Sequence, residues 1–465
     1  MSHYGNNCYQ SVKERKDALY YIRHFCRLFI GVLFIFSAYV KGVDPFGFAL
    51  KIEEYFLSFG MNFLVPLSMF TACCMLLAEF LIGVAMLLNI QPRFFSWLLL
   101  LFMSFFLLLT AYLAFAPGIV RLLNRWTGNE WQIFVPGDCG CFGDFIKLTN
   151  TQTFLKNVVF MLPTLVVFAQ RKRFRSQPFH YVTEWGPLVL ASAFMIFMEV
   201  HCLRHEPWHD FRPWNKGHFI AAETYAEAPE KDFVFQYKNV ETGELREITM
   251  DELMEISEDS LRNADLEEHY AYVSRVEKLI KPGVVAHLTD FTMMESESRK
   301  DVRQRVIESP DYQFIIFFRD VTDCPEKGWK RVNELATACV QSGISFSAVT
   351  ASLASEVEQL TAGRQLPYTF YYSDATPMKT ALRNNLGVLL LKEGYVLDKW
   401  SFRDVPTYEK FVRDMPRYEQ ALARYKEKEP PVLPNGEMLH PETAEDAEEG
   451  GEEADVELEN DVVYE

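Results

Sequence analysis

Apolar residues form long unbroken runs through the first two hundred positions and short alternating or helix-period groups after that. Runs long enough to cross a hydrocarbon core of about 30 Å lie at Phe25–Val43, Phe63–Leu88, Phe94–Ala116, Gln152–Ala169 and Trp185–Val200, and each predicts a transmembrane helix. The last is the shortest. The first reads as a span and not as a cleaved leader: Arg23 and Arg27 flank it, but it ends in Lys41-Gly42-Val43-Asp44-Pro45 without a small-residue cleavage pattern. Between the first two spans, Phe48, Ile52, Phe56 and Phe59 recur about one turn apart, opposite Lys51 and Glu54. That spacing predicts an amphipathic helix at the membrane interface. Trp126, Trp131, Trp208 and Trp214 fall near span ends, as in an aromatic belt.

Past the fifth span, Asp210-Phe211-Arg212-Pro213-Trp214 reads as a linker. Phe233–Tyr237 and Arg246–Met250 alternate around Glu241-Thr242-Gly243-Glu244, which predicts a hairpin. From Asp311 the pattern turns α/β. Strands are expected at Tyr312–Phe318, Ile344–Thr350 and Tyr368–Tyr372, separated by helices at Glu326–Ser342, Ser355–Thr361 and Met378–Asn384. A second hairpin, Val388–Leu391 with Val396–Trp400, turns at Glu393-Gly394, and a last helix starts near Thr407.

Charge orients the first half. Lys13, Arg15, Lys16, Arg23 and Arg27 precede the first span, Arg93 sits in the second connection, and Arg171, Lys172, Arg173 and Arg175 follow the fourth. By the positive-inside rule these segments are cytoplasmic, so segments 44–62 and 117–151 and everything beyond the fifth span face the other side. The formal charge of −17 is concentrated at the end of the chain: from Glu429 onward there are 14 acidic residues and no Lys or Arg, and the rest carries −3. That tail is expected to be disordered, and no basic footprint for nucleic acid exists. The expected organisation is a cytoplasmic segment (1–24), a four-helix membrane domain (25–170), a basic loop with a fifth span (171–202), an exported juxtamembrane and hairpin region (203–300), an α/β domain (301–426) and an acidic tail (427–465).

Two kinds of residue carry candidate chemistry. Glu79 lies mid-span, where an ionised carboxylate costs several kcal/mol unless paired or protonated, and Lys41 closes the first span, from which it could snorkel outward. Glu79 reads either as a proton relay or cavity lining, or as a neutral packing residue. The third loop holds Pro136-Gly137-Asp138-Cys139-Gly140-Cys141-Phe142-Gly143-Asp144. A disulfide between residues two apart needs the backbone freedom that glycine supplies, and so small a ring is strained and labile. No second cysteine pair or histidine cluster completes a zinc site. Redox exchange, a structural bridge and two unpaired thiols all remain readings of the pair.

The runs Gly31-Val32-Leu33-Phe34-Ile35-Phe36-Ser37-Ala38-Tyr39-Val40-Lys41 and Asp44-Pro45-Phe46-Gly47-Phe48, with Glu79 and Cys139-Gly140-Cys141-Phe142-Gly143, resemble the DoxX-like membrane proteins, and more closely their methylamine-utilisation MauE branch. The resemblance covers roughly residues 20–170. It implies a membrane four-helix bundle with a role in maturing, or forming disulfides in, an exported partner. Residues 300–425 resemble the thioredoxin fold by element order, with two departures: Cys324-Pro325-Glu326-Lys327 keeps only the first cysteine of Cys-x-x-Cys, and Asn385-Leu386-Gly387 stands where a cis-proline is expected. Cys324 lies near a helix N-terminus, which would lower its pKa.

The expectation is therefore a multi-pass protein of a bacterial inner (cytoplasmic) membrane with its C-terminal domain in the periplasm. Cys139 and Cys141 would exchange thiols and disulfides for an exported client, with Cys324 a further candidate. No residue identifies a cofactor, although a lipid-soluble quinone could accept electrons. The rivals are a non-catalytic anchor carrying a degenerate thioredoxin-like binding domain, and a transporter or quinol-linked subunit built on Glu79.

Overall fold

The computed structural model describes residues 18–439, apart from 129, 131–135, 137–142, 144, 147, 175–180, 228, 282, 285, 287, 289, 363 and 365. The chain divides into two compact units, Met1–Arg212 and Pro213–Glu465.

The first unit is helical: α1 (Ala18–Gly42), α2 (Pro45–Ser58), α3 (Ser68–Leu88), α4 (Pro92–Thr127), α5 (Asn150–Ala169) and α6 (Tyr181–Arg204), with a 3-10 turn at Asn62–Leu67 before α3. Five stretches are long and apolar enough to cross a membrane: Ala18–Gly42, Asn62–Leu88, Pro92–Thr127, Asn150–Ala169 and Trp185–Arg204. Each contains or overlaps an expected run, and the fifth proves longer than its apolar core suggested. The expected helix between the first two spans is α2. Asp44 caps it by accepting from the Gly47 amide at 3.0 Å, with Pro45 at its first position. Its apolar stripe (Phe48, Ala49, Ile52) packs with Ala72, Leu76 and Phe80 of α3.

Two glycines set the crossing of α1 and α3. A side chain on Gly83 would sit 2.8 Å from the Ile35 amide nitrogen, and one on Gly31 would sit 2.9 Å from that of Leu87. Both obstacles are backbone, so these small residues let the helices touch, as is common between membrane helices. At the far end of α3, the Arg27 guanidinium donates to the carbonyls of Met86 and Leu87. It thereby satisfies helix-end acceptors that lack intrahelical donors. Helices α4 and α5 are joined by Asn157, whose Nδ2 donates to Thr110 Oγ1 at 3.1 Å. A capping box of Thr149 and Gln152 starts α5.

The second unit runs α7 (Ile220–Thr224), β1 (Glu230–Asn239), β2 (Leu245–Thr249), α8 (Met250–Glu258), α9 (Ser260–His269), β3 (Tyr270–Lys281), α10 (Arg303–Ile307), β4 (Gln313–Phe318), α11 (Glu326–Gln341), β5 (Ser345–Thr350), α12 (Ala354–Thr361), β6 (Thr369–Tyr372), α13 (Ala375–Ala381), β7 (Gly387–Lys392), β8 (Tyr395–Ser401) and α14 (Tyr408–Lys428). Strands β1–β3 form an antiparallel sheet in the order β2-β1-β3. The other five lie in the order β6-β5-β4-β7-β8, with β4, β5 and β6 parallel and β7 and β8 antiparallel. A parallel βαβ unit continued by an antiparallel hairpin and a final helix is the thioredoxin-like arrangement, here with β6 added at one edge. Strand β4 is buried along its whole length (Gln313-Phe314-Ile315-Ile316-Phe317-Phe318), as a central strand covered on both faces must be.

Three expectations are corrected. Trp214 does not serve an aromatic belt; it is buried in the core of the second unit against Phe291 and Phe317. The expected hairpin gains a third strand, β3, and the helices α8 and α9. Ordered structure also continues past 426: α14 ends at Lys428 and Val432 bridges to Met438, with Leu433 buried. The acidic stretch beyond 439 lies outside the described residues.

Candidate functional site

Inside the first unit a charged pair stands among apolar side chains. The Lys41 ammonium donates to Glu79 Oε2, and the two side chains are only 2% and 6% exposed. Lys41 therefore does not snorkel. It lies one residue from the end of α1, but α1 stops opposite the interior of α3, and Glu79 is eleven residues into that helix. The lysine turns inward to the carboxylate. Its Nζ also lies 5.1 Å from the centroid of Phe48 and 5.9 Å from that of Phe106, so aromatic faces share the charge.

Beside the pair is a cavity of about 40 Å³ whose lining includes Ser37, Lys41, Glu79, Phe106, Lys156 and Asn157. That space suits a few water molecules. It is far below the roughly 300–1,000 Å³ of small-molecule pockets. A second intramembrane acid, Glu199 of α6, is also buried, and it is hydrogen-bonded to Cys73 of α3. It escaped the sequence reading because it lies where the fifth apolar run fades. The rule that flagged Glu79, an acid within a span, would have found it.

Cys139 and Cys141 lie outside the described residues, as do Cys8, Trp131, Asp138 and Asp144. The flanks of the thiol pair are described. The Pro136 carbonyl accepts from Asn150 Nδ2 at 3.0 Å, at the start of α5. Gly143, two residues past Cys141, has φ +52, and a side chain there would lie 3.7 Å from the Val40 carbonyl and 3.9 Å from Lys41 Cγ. Phe145 packs edge-on against Phe36 and Phe211. The described flanks thus meet the start of α5 on one side of the thiols and lie beside α1 on the other.

A separate polar knot follows α6. Arg212, almost fully buried, donates from Nε and Nη2 to the two oxygens of Asp210 at 2.7 and 3.0 Å, and from Nη2 to Glu206 at 3.0 Å. Burial alone would lower its pKa, but the surrounding carboxylates of Asp210, Glu206 and Asp44 raise it, so the guanidinium is held charged. Tyr39 and His209 share a hydrogen bond of 2.6 Å nearby.

In the second unit Cys324 is not an activated thiol. It precedes Pro325, the N-cap of α11, and its Sγ–H donates to the Asp320 carbonyl at 3.2 Å instead of facing the helix amides. Burial, reinforced by the carboxylates of Asp320 and Asp323, pushes the thiol up to about 12, the opposite of the expected lowering. Asn385 takes the place expected for a cis-proline and pins this loop. Its Nδ2 donates to the carbonyls of Asp320 and Asp323 at 2.9 and 2.8 Å, while its Oδ1 accepts from the Asp320 amide at 3.0 Å.

Comparison with known proteins agrees with the first unit. Residues 18–120 match the family model described as methylamine utilisation protein MauE. The match spans the first three of the five helices that are long and apolar enough to cross a membrane, so this part of the chain is similar to MauE and the first unit fits a multi-pass membrane protein. No curated protein matches the chain. Among solved structures, a solution structure described as a thioredoxin from Neisseria meningitidis is similar, with 16% identity, coverage of 28% of this chain and 88% of that one, and a TM-score of 0.23.

Proposed function

We propose that the helix bundle supports thiol–disulfide exchange through Cys139 and Cys141, serving the maturation of exported proteins. The observation that carries this reading is the placement of the loop's described flank: Gly143 lies close to the turn of α1 whose Lys41 is paired with Glu79, and Phe145 packs on Phe36 of the same helix. A loop whose flanks are placed in this way can present a labile Cys-Gly-Cys pair, and pre-organisation of this kind is what an exchange site needs. In this reading the positive-inside charges keep the N-terminus in the cytoplasm, and the thiols and second unit face the oxidising side of a bacterial inner membrane. The electron acceptor is a partner outside this chain. The second unit works as a binding domain for the client, because a thiol held near 12 supplies almost no thiolate at neutral pH.

The test is the redox state of Cys139 and Cys141 in intact membranes, followed by thiol trapping, together with the disulfide content of exported proteins in a Cys141→Ser strain. Exchange requires a pair that cycles between oxidised and reduced forms and a loss of client disulfides in the variant. A pair that stays permanently reduced, with client disulfides unchanged, ends the proposal.

The small polar-lined pocket beside Lys41 and Glu79 favours a second reading, proton or small-solute handling by the bundle itself. Heavy loss of function in Glu79→Gln with a silent Cys139→Ser would select it.

A further inference from the structure

Strand β3 is the longest among the described residues, and only one of its edges is paired there. Its twelve residues pair with β1 along one side. In the sheet order β2-β1-β3 its other side has no strand among the described residues. Tyr272, Val273 and Val276 on it are 57%, 50% and 43% exposed. A long edge with β-branched and aromatic residues pairs readily with any extended segment, and folded proteins usually cover one.

The turn at Asn435, four residues before the described chain ends at Leu439, lies near the end of this strand. Asn435 Nδ2 donates to the Tyr225 hydroxyl at 2.7 Å, Tyr225 donates to Glu227, and Glu227 accepts from Lys281 Nζ at 2.7 Å. Lys281, the last residue of β3, also feels the carboxylate of Glu437. From Leu439 a further 26 residues follow. Their last eleven, Asp455–Glu465, contain no proline or glycine and set Val456, Leu458, Asn460, Val462 and Tyr464 in alternation with Glu457, Glu459, Asp461, Val463 and Glu465. This is a strand pattern, acidic on one face. The edge it would meet carries Arg275, Lys278 and Lys281 against one acid, Glu277.

We infer that Asp455–Glu465 adds to the open edge of β3 as a fourth antiparallel strand, joining the end of the chain to the small sheet. The lengths agree: at roughly 3.3 Å per residue both β3 and the segment span close to 40 Å. An antiparallel pairing, which both other pairs in this sheet use, starts the segment at the Lys281 end, within reach of the 15 residues that separate Leu439 from Asp455. Gly450-Gly451 in the intervening stretch supplies the freedom to turn. The acidic tail becomes the cover of an edge that would otherwise recruit other chains.

Hydrogen exchange on the full-length protein in lipid nanodiscs tests this. It is measured for the intact chain, for a chain ending at Ala454, and for a Val456→Lys/Leu458→Lys variant. Both changes are expected to speed exchange of the Tyr270–Lys281 amides by about tenfold or more, with β4 amides unchanged as the control for folding. Identical β3 exchange in all three proteins overturns the inference. Protection that rises with protein concentration also overturns it, since the edge would then be covered by a second copy.

Discussion

Removing one half of the Lys41–Glu79 pair tests whether it is a true buried salt bridge. Lys41→Met keeps the length and apolar stem of the side chain but removes the ammonium that donates to Glu79 Oε2, beside Phe48, Phe106 and the small cavity. With both side chains at or below 6% exposure, solvent cannot compensate. Breaking such a pair from one side costs about 3–5 kcal/mol, whereas replacing both partners with apolar residues of similar volume is neutral to stabilising by about 1–4 kcal/mol. Lys41→Met and Glu79→Leu should therefore each shift the unfolding midpoint strongly in detergent or nanodiscs. The double variant should recover most of the loss, giving a coupling of several kcal/mol in the cycle. Salt should change little, because the pair is shielded from ions. Two single variants each costing under about 1 kcal/mol and adding without coupling would refute the reasoning. The double variant also separates stability from function: if folding recovers but activity does not, the charges serve chemistry as well as architecture.

Further outcomes follow from other contacts. Gly83→Ala should loosen or break the α1–α3 crossing by about 1–3 kcal/mol, since its methyl meets the Ile35 backbone at 2.8 Å; a thermal shift of the purified protein checks it, and an unchanged midpoint would contradict the close approach. Cys324 should resist alkylation at pH 8 and react about tenfold faster per pH unit toward 12, as a thiol held protonated by burial and two acids does. The same raised pKa gives a sign for stability: the unfolded thiol ionises first, so Cys324 contributes stability below about pH 9 that is lost as pH climbs toward 12, and Cys324→Ser should flatten that part of the profile. Asn385→Ala removes three hydrogen bonds from the loop at Asp320–Cys324. It should cost about 1–3 kcal/mol and speed Cys324 labelling under native conditions.

The spans and the α/β order were legible because both rest on period and length, which sequence displays directly. Strand β4 reads as Phe-Ile-Ile-Phe-Phe and could hardly be anything else once bounded by Asp311 and Asp320. What stayed hidden depends on depth and partnership. Strand β3 alternates only weakly, because an edge strand exposed on most positions need not separate apolar from polar. Trp214 sits near a span end in sequence, yet it belongs to the next unit, and only its burial against Phe291 and Phe317 shows which.

The site shows the same division. Glu79 could be flagged from its place in a span, and Cys139 and Cys141 from their glycine-spaced turn. Nothing in the sequence says that α1 ends opposite the interior of α3, and that offset is what turns Lys41 inward. The Cys324 expectation failed for a related reason. Position near a helix start lowers a thiol pKa only when the sulfur faces the free amides. Pro325 ends the approach to α11, and the thiol bonds the Asp320 carbonyl inside a loop that Asn385 holds shut. The two cysteine settings thus differ in kind. One thiol is locked and protonated in a well-packed domain, while the described flanks of the pair at 139 and 141 meet the start of α5 and lie beside α1.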